Sequence, residues 1–221
     1  APTTGAPTAA TPGVSAAPRT ALPTTFPPVT NPPVSAPTLQ PASPGSSVSV
    51  FPTMPDCPLP TATTISDGAL TVTFPSAWST HEGLAPWASA CNASALGDVT
   101  AGWAMGVTVG TVDDAADDLA ATAQLVWQAT VTDTNSYPTD LQPKAGITTQ
   151  QAVTVQGLSG YRITGEVRVT GVTGVEGDVL TVLVLRAANG GQHAVVALHT
   201  IGDAAGAATV AAIVASVRVS G

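Results

Sequence analysis

Charged side chains are scarce in this chain of 221 residues, where they make up 9%, against about a quarter in an ordinary soluble domain. Only six residues are Lys or Arg, they are scattered along the chain, and the formal net charge is -8. Binding to a phosphate backbone needs a clustered basic face, because much of the affinity comes from the release of counterions. The composition therefore argues against nucleic acid as a partner.

Long apolar runs are also missing. The longest candidate, residues 204–217, is rich in alanine and shorter than the roughly 18 residues that a membrane span requires, so we predict no transmembrane span in this chain. The chain starts at Ala1 without Met and without a signal peptide. We expect a signal or anchor segment that precedes Ala1 and a protein that is secreted or held at the cell surface. The high Ala, Val, Thr and Gly content with little Lys is typical of a GC-rich bacterium.

Proline is almost absent after residue 60, because sixteen of the 20 prolines lie within residues 1–60. Residues 1–55 contain one charged side chain, Arg19, and no sustained period of 2 or 3.6. Repeated prolines remove backbone donors and prevent a helix or paired strand from propagating. We predict that residues 1–55 form a disordered Pro/Thr/Ala-rich linker or stalk, either a plain spacer or a mucin-like stalk with O-linked sugar. Residues 56–221 are then long enough to fold as a single domain.

Alternating apolar and polar side chains predict several strands in this domain. The predicted strands cover about residues 69–74, 101–111, 153–157, 161–169, 179–186 and 193–199. Residues 76–97 have no clean period and are predicted to be loop with short helical turns.

Two helices are predicted from caps and apolar stripes. The first covers about residues 113–130, is capped by Thr111, and buries a stripe of Leu119, Ala123, Val126 and Trp127. The second covers about residues 204–215 and is capped by Asp203. The order of elements predicts an α+β fold in which an antiparallel β-sheet is flanked by two main helices.

Several short elements resemble a known family. They are Phe74-Pro75-Ser76-Ala77-Trp78 at a strand end, the single central helix, the Gly160-Tyr161 strand entry, and the strand-helix unit from His193 to Val219. Over about residues 65–219 the chain resembles the PsbP-like fold, and within it the LpqN-type cell-envelope lipoproteins of mycolic-acid-bearing actinobacteria. The resemblance implies an envelope-associated binding or accessory module rather than an enzyme, with no catalytic residues to carry over.

The start of the chain has Ala1 where an LpqN-type lipoprotein carries its lipidated cysteine. The chain departs from the LpqN-type pattern in its long Pro-rich leader and in its two cysteines, Cys57 and Cys91. We predict that these form a disulfide, since an even number of cysteines in an oxidising compartment favours one. Free thiols or a metal site are the alternatives, but there is no CxxC spacing and only His81 lies between the cysteines.

Other candidate chemistry has ordinary explanations. His81, His193 and His199 are predicted to be surface or edge histidines, since the last two are separated by about 20 Å of strand. The four aspartates within residues 113–118 lack the glycine and closing glutamate of a calcium loop. No Gly-x-Ser-x-Gly element is present. We therefore predict no enzyme, no metal site and no cofactor.

A candidate ligand site is the irregular segment around Trp78, Leu84 and Trp87, of which Trp87 is expected to be the most exposed tryptophan. Pockets are commonly apolar clefts with few polar groups. We therefore hypothesise that an apolar or amphipathic ligand, or the hydrophobic surface of a partner, binds between the sheet and this segment. The alternative is that both tryptophans simply cap the sheet as core.

The function we expect is that of an extracytoplasmic cell-envelope accessory or binding domain on a flexible stalk, which engages an envelope protein, a lipid or a glycan. The alternatives are a passive or sensory ectodomain of a membrane protein and a cryptic hydrolase.

Removal of the predicted linker should leave the domain folded, because residues 1–55 have no periodic apolar face. A chain that starts at Thr53 is expected to melt cooperatively with the midpoint of the full chain in a calorimetric scan. Loss of the cooperative transition would show that the segment packs on the domain.

Overall fold

The computed structural model describes residues 57–82, 85–88, 90–100 and 102–220. The predicted linker of residues 1–55 lies outside these ranges. Within them the chain forms ten strands, two α-helices and a short 3-10 turn at Thr139–Leu141. In chain order the strands and helices are β1 (Thr64–Ser66), β2 (Leu70–Thr73), β3 (Ser79–Glu82), β4 (Asn92–Thr100), β5 (Trp103–Thr111), α1 (Leu119–Thr132), β6 (Lys144–Val155), β7 (Leu158–Arg168), β8 (Gly177–Arg186), β9 (Gln192–Thr200), α2 (Ala204–Ala215) and β10 (Arg218–Val219).

Seven of these strands form one antiparallel sheet in the order β3-β4-β5-β9-β8-β7-β6. A second sheet of three strands has the order β1-β2-β10 and is also antiparallel. The predicted α+β class, with an antiparallel sheet flanked by two helices, is therefore confirmed. Among the described residues, neither helix is long and apolar enough to cross a membrane.

The large sheet is buried on both faces at its centre. In β8, Val182 and Val184 belong to the cluster that contains α1, whereas Leu183 and Leu185 belong to the cluster that contains α2. Successive side chains of a strand point to opposite faces, so an apolar residue at every position means that both faces are covered. Residues 194–197 of β9 continue the same pattern.

The two faces are covered by different elements. Helix α1 packs on one face, mainly against β7 and β8, and its Val126 and Trp127 are buried there as the predicted stripe requires. The small sheet and α2 cover the other face, where Ile65, Leu70 and Ile213 are buried. We call these the α1 face and the α2 face.

Helix α1 begins at Leu119, six residues later than the sequence predicts. Asp118 is its N-cap and accepts a hydrogen bond from Ala121 N at 3.1 Å, so the predicted cap at Thr111 is wrong. Asp114 has φ +50°, which breaks the helical path. The carbonyls of Ala116 and Asp117 instead accept hydrogen bonds from the side chains of Gln192 and Arg186. Helix α2, in contrast, has the predicted bounds and the predicted cap at Asp203.

The segment of residues 76–97 contains strand β3 and the first six residues of β4, so its prediction as loop is wrong at these strands. Strand β3 is polar throughout, and residues 93–95 of β4 are small and buried side by side. Neither pattern alternates, which is why both escape a search for period 2. Strand β6 is longer than predicted for a similar reason: its first nine residues are exposed on both faces and show no apolar alternation.

Cys57 and Cys91 form a disulfide across a sequence separation of 34, as predicted. The bond joins the first described residue of the domain to the residue that precedes β4. A cross-link of this kind stabilises the fold in the chain-entropy model by restricting the unfolded chain.

Replacement of both cysteines by alanine should lower the free energy of unfolding by about 3 to 4 kcal/mol, the amount expected for a closed loop of this length. Urea denaturation of the oxidised wild type, the reduced wild type and the double variant measures this. The reduced wild type is expected to match the double variant. Equal stability of all three forms would mean that the cross-link adds nothing.

Candidate functional site

A cleft of about 840 Å³ opens on the α1 face of the large sheet. Its floor is formed by side chains of β4, β5 and β9, and its walls come from residues 85–87, the segment that follows α1, and the turn between β7 and β8. The residues that line the floor are Leu96, Ala104, Gly106, Thr108, Val196 and Leu198.

The cleft exists because α1 lies away from one side of the α1 face and most of the side chains on that side are small. Helix α1 lies mainly over β7 and β8, away from β5. The bulky residues Val107 and Val109 of β5 point to the α2 face. Beyond Trp103 at its start, the α1 face of β5 therefore presents only small residues, namely Ala104, Gly106, Thr108 and Gly110. This part of the sheet stays open between the walls.

A buried carboxylate lies in the cleft. Asp178, the second residue of β8, is 3% exposed. Trp103 Nε1–H donates to its Oδ1 at 3.0 Å, and the Tyr137 hydroxyl donates to its Oδ2 at 3.0 Å. Trp103 comes from the start of β5 and Tyr137 from the segment after α1. One carboxylate therefore joins three parts of the fold.

Burial raises the pKa of Asp178 to about 6, even though the hydrogen bonds from Trp103 and Tyr137 favour the ionised form. Burial also raises the pKa of Tyr137, and the negative charge of Asp178 adds to that shift. At neutral pH the tyrosine is therefore a hydroxyl donor, and the carboxyl is mostly an anion in an apolar setting.

A second carboxylate, that of Asp133, lies at the rim of the cleft. Its Oδ1 accepts a hydrogen bond from Asn135 N at 3.2 Å, and its Oδ2 accepts from Ser136 Oγ at 2.7 Å. These bonds fix the turn that leads from α1 to Tyr137, whose own N–H donates to the carbonyl of Asp133 at 2.8 Å. Asp133 thus helps to place the tyrosine beside Asp178.

The structure separates the predicted site residues. Trp87 is 4% exposed, packs against Gly110 on the α1 face and lines the cleft, so the expectation that it is the most exposed tryptophan is wrong. Trp78 packs over Gly97 with the cluster on the α2 face. The two tryptophans therefore lie on opposite faces of the sheet, and Leu84 is outside the described residues. A ligand site between these three residues stays a prediction.

His193 is buried, which corrects its prediction as a surface or edge histidine. Its Nδ1 lies 2.7 Å from Asp67 Oδ2 and 3.3 Å from Thr111 Oγ1. Asp67 Oδ1 accepts hydrogen bonds from the backbone N–H groups of Ala69 and Leu70 in the turn between β1 and β2. The pair therefore connects the small sheet to β9, and we assign it a structural role.

Asp178, Trp103 and Tyr137 are not predicted as a site from the sequence. One signal was available for Asp178, because it is the only charged residue in the otherwise apolar and Thr-containing stretch from Gly177 to Leu185. A charged residue in a buried strand needs hydrogen-bond or ionic partners. Which donors would supply them could not be read from the sequence, since Trp103 and Tyr137 are 75 and 41 residues away.

No family model and no curated protein sequence matches the chain. Among solved structures, the solution structure of the cyanobacterial PsbP protein CyanoP from Synechocystis sp. PCC 6803 is similar in fold. It is 15% identical with a TM-score of 0.48, over 80% of this chain and 98% of that chain. The similarity concerns the fold alone, and membership of the LpqN-type family stays a prediction.

The stability of the protein should depend on pH through Asp178. The fold binds this proton more tightly than the unfolded chain does, because the pKa rises from 3.8 to about 6. For this group alone, stability is therefore highest below pH 4, and it falls by about 3 kcal/mol as the pH rises through 6 to neutrality. Urea denaturation of wild type and Asp178→Asn between pH 3.5 and about 7 measures the difference.

The Asp178→Asn variant should lack this part of the pH dependence, since the amide does not ionise. The matched control is Asp114→Asn, which removes an exposed carboxylate at a positive φ that Asn also tolerates. The control is expected to keep the wild-type dependence. Parallel curves for wild type and Asp178→Asn would contradict the assignment.

Proposed function

We propose that this protein is an extracytoplasmic cell-envelope accessory domain that binds an amphipathic ligand in the cleft on the α1 face. The observation that carries the proposal is the cleft itself, an opening of about 840 Å³ with an apolar floor and a buried carboxylate. Small-molecule sites are usually clefts of about 300 to 1,000 Å³ with mostly apolar walls and a few polar groups.

The chemistry of the cleft favours a ligand with an apolar body and one polar end. Leu96, Val196 and Leu198 offer apolar contacts on the floor, while Asp178 and Tyr137 offer polar atoms in one region. A purely polar ligand would leave the apolar floor in contact with water, and a purely apolar one would add no polar contact for the carboxylate beyond its hydrogen bonds from Trp103 and Tyr137. A lipid or another amphipathic molecule fits both parts.

The proposed compartment rests on the disulfide. A bond between Cys57 and Cys91 persists in an oxidising environment and is rare in the cytosol. The Pro-rich segment of residues 1–55 would hold the domain away from its point of attachment. Both features favour a domain that works at the cell envelope.

Ligand binding in the cleft can be tested with N-phenyl-1-naphthylamine, an uncharged probe that fluoresces in apolar surroundings. We expect saturable binding with one site per chain. Ala104→Leu fills the floor of the cleft and should weaken the affinity by about tenfold, which corresponds to about 1.4 kcal/mol of lost contacts. The matched control is Ala208→Leu, which adds the same bulk at an exposed position of α2.

Three results would speak against the proposal. Saturable binding that Ala104→Leu leaves unchanged would place the site elsewhere on the domain. Equal loss in both variants would indicate a general effect on the fold, which circular dichroism would reveal. Failure of the probe to bind would favour a passive or sensory ectodomain.

A further inference from the structure

The charges that line the cleft are all negative. Asp178 and Asp133 line it, and no Lys, Arg or His does so within the part of the chain that the structure describes. The net charge of the protein is also negative. A ligand with an anionic end would therefore meet repulsion both in the cleft and on approach.

The charge of Asp178 is not neutralised by any described side chain. Its two oxygens accept hydrogen bonds from neutral donors only, and it makes no ion pair with a described residue. Arg168 pairs with Glu166 and Glu176, while Arg186 donates to a backbone carbonyl. Buried charges in proteins are normally paired or bound to a metal. The carboxylate of Asp178 could therefore form an ion pair with a cationic ligand.

The aromatic residues of the cleft point to the chemical type of that partner. The chain has nine aromatic residues (four Trp, two Tyr and three Phe), and three of them, Trp87, Trp103 and Tyr137, line the cleft. Two of these rings converge on Asp178, because both donate to its oxygens at 3.0 Å. Aromatic rings attract organic cations through their negative faces, and clustered aromatic rings are the usual way in which proteins recognise quaternary ammonium groups.

We propose that the cleft binds the ammonium group of an organic cation beside Asp178, with Trp103 and Tyr137 next to it and the apolar part of the ligand on the floor. This inference rests on the proposed function and names the ligand class of the same cleft. The ammonium group belongs either to a lipid headgroup or to a free alkylamine, and the shared chemistry is a positively charged nitrogen attached to an apolar chain.

An organic cation fits better than a metal ion. A hard metal ion needs several oxygen ligands with free lone pairs, and no group of three or more His, Cys, Asp or Glu is arranged to hold one among the described residues. An alkylammonium group needs no such set, since its attraction to a carboxylate and to aromatic rings is electrostatic and tolerates several arrangements. The apolar floor adds contacts for the chain that it carries.

The test compares three ligands that share an eight-carbon chain and differ in the charge of the head: octyltrimethylammonium, 1-octanol and octyl sulfate. Isothermal titration calorimetry at neutral pH measures each affinity below the micelle concentration. Octyltrimethylammonium is expected to bind about tenfold more tightly than 1-octanol, and octyl sulfate is expected to bind most weakly.

Substitutions test whether the charge of Asp178 causes the preference for the cation. Asp178→Asn should weaken the binding of octyltrimethylammonium by about tenfold and leave that of 1-octanol nearly unchanged, so that the preference for the cation disappears. Asp114→Asn removes one negative charge at an exposed position and should keep the preference. If Asp178→Asn does not fold, Tyr137→Phe keeps the ring, removes the hydroxyl donor and should leave a preference for the cation.

The pH dependence of cation binding to the wild type is a second test. Because the pKa of Asp178 is raised to about 6, a fall from pH 7.5 to about 5 protonates most of this carboxyl and should weaken cation binding several-fold. The affinity for 1-octanol should stay the same. The other titratable groups that line the cleft are Asp133 and Tyr137. On the neighbouring strands β7 and β9, Asp178 is paired with Val167 and Thr200, which do not titrate.

The outcomes separate the inference from the proposed function. Equal binding of octyltrimethylammonium and 1-octanol, both weakened by Ala104→Leu, would overturn the inference and support the cleft as a ligand site. Failure of all three ligands to bind would overturn both. If the cation is preferred, vesicles of phosphatidylcholine and of phosphatidylglycerol distinguish the sources: binding to the first alone indicates a lipid headgroup, and binding to neither indicates a free amine.

Discussion

The burial of β8 and β9 on both faces is the constraint on which the rest of the structure depends. Strands with an apolar residue at nearly every position cannot leave either face in water, so each face needs its own cover. Helix α1 covers one face, and α2 with the small sheet covers the other. Two further contacts hold the first strands on the domain: the buried pair of Asp67 and His193, and the disulfide between Cys57 and Cys91.

The same arrangement explains why the cleft is where it is. One helix cannot cover seven strands, since its diameter is about 10 Å and neighbouring strands are about 4.8 Å apart. Helix α1 lies over β7 and β8, and the small residues of β5 remain beyond its reach. Asp178 lies next to this opening, where its two hydrogen bonds bring the segment after α1 and the start of β5 towards each other.

Much of the fold could be predicted from the sequence wherever a pattern is imposed by one buried face. The alternation of Tyr161, Ile163 and Val167 and the stripe of Ala123, Val126 and Trp127 both correspond to contacts on the α1 face. Strands β3 and β4 could not be predicted, since one is wholly polar and the other carries small residues on both faces. The site was missed because its members are far apart in sequence, and pairing distant residues requires the sheet order, in which β9 separates β5 from β8.

Strand β6 has a consequence for how molecules of this protein behave towards each other. It is an edge strand of twelve residues that has no neighbour beyond it among the described residues, no proline, and Lys144 as its one charge. Such an edge is a template for pairing with another extended chain. The net charge of -8 keeps molecules apart at neutral pH, but this repulsion vanishes near the isoelectric point of about 4.4. The colloidal stability of the protein in solution is therefore set by its overall charge, because its edge strand carries almost none of its own.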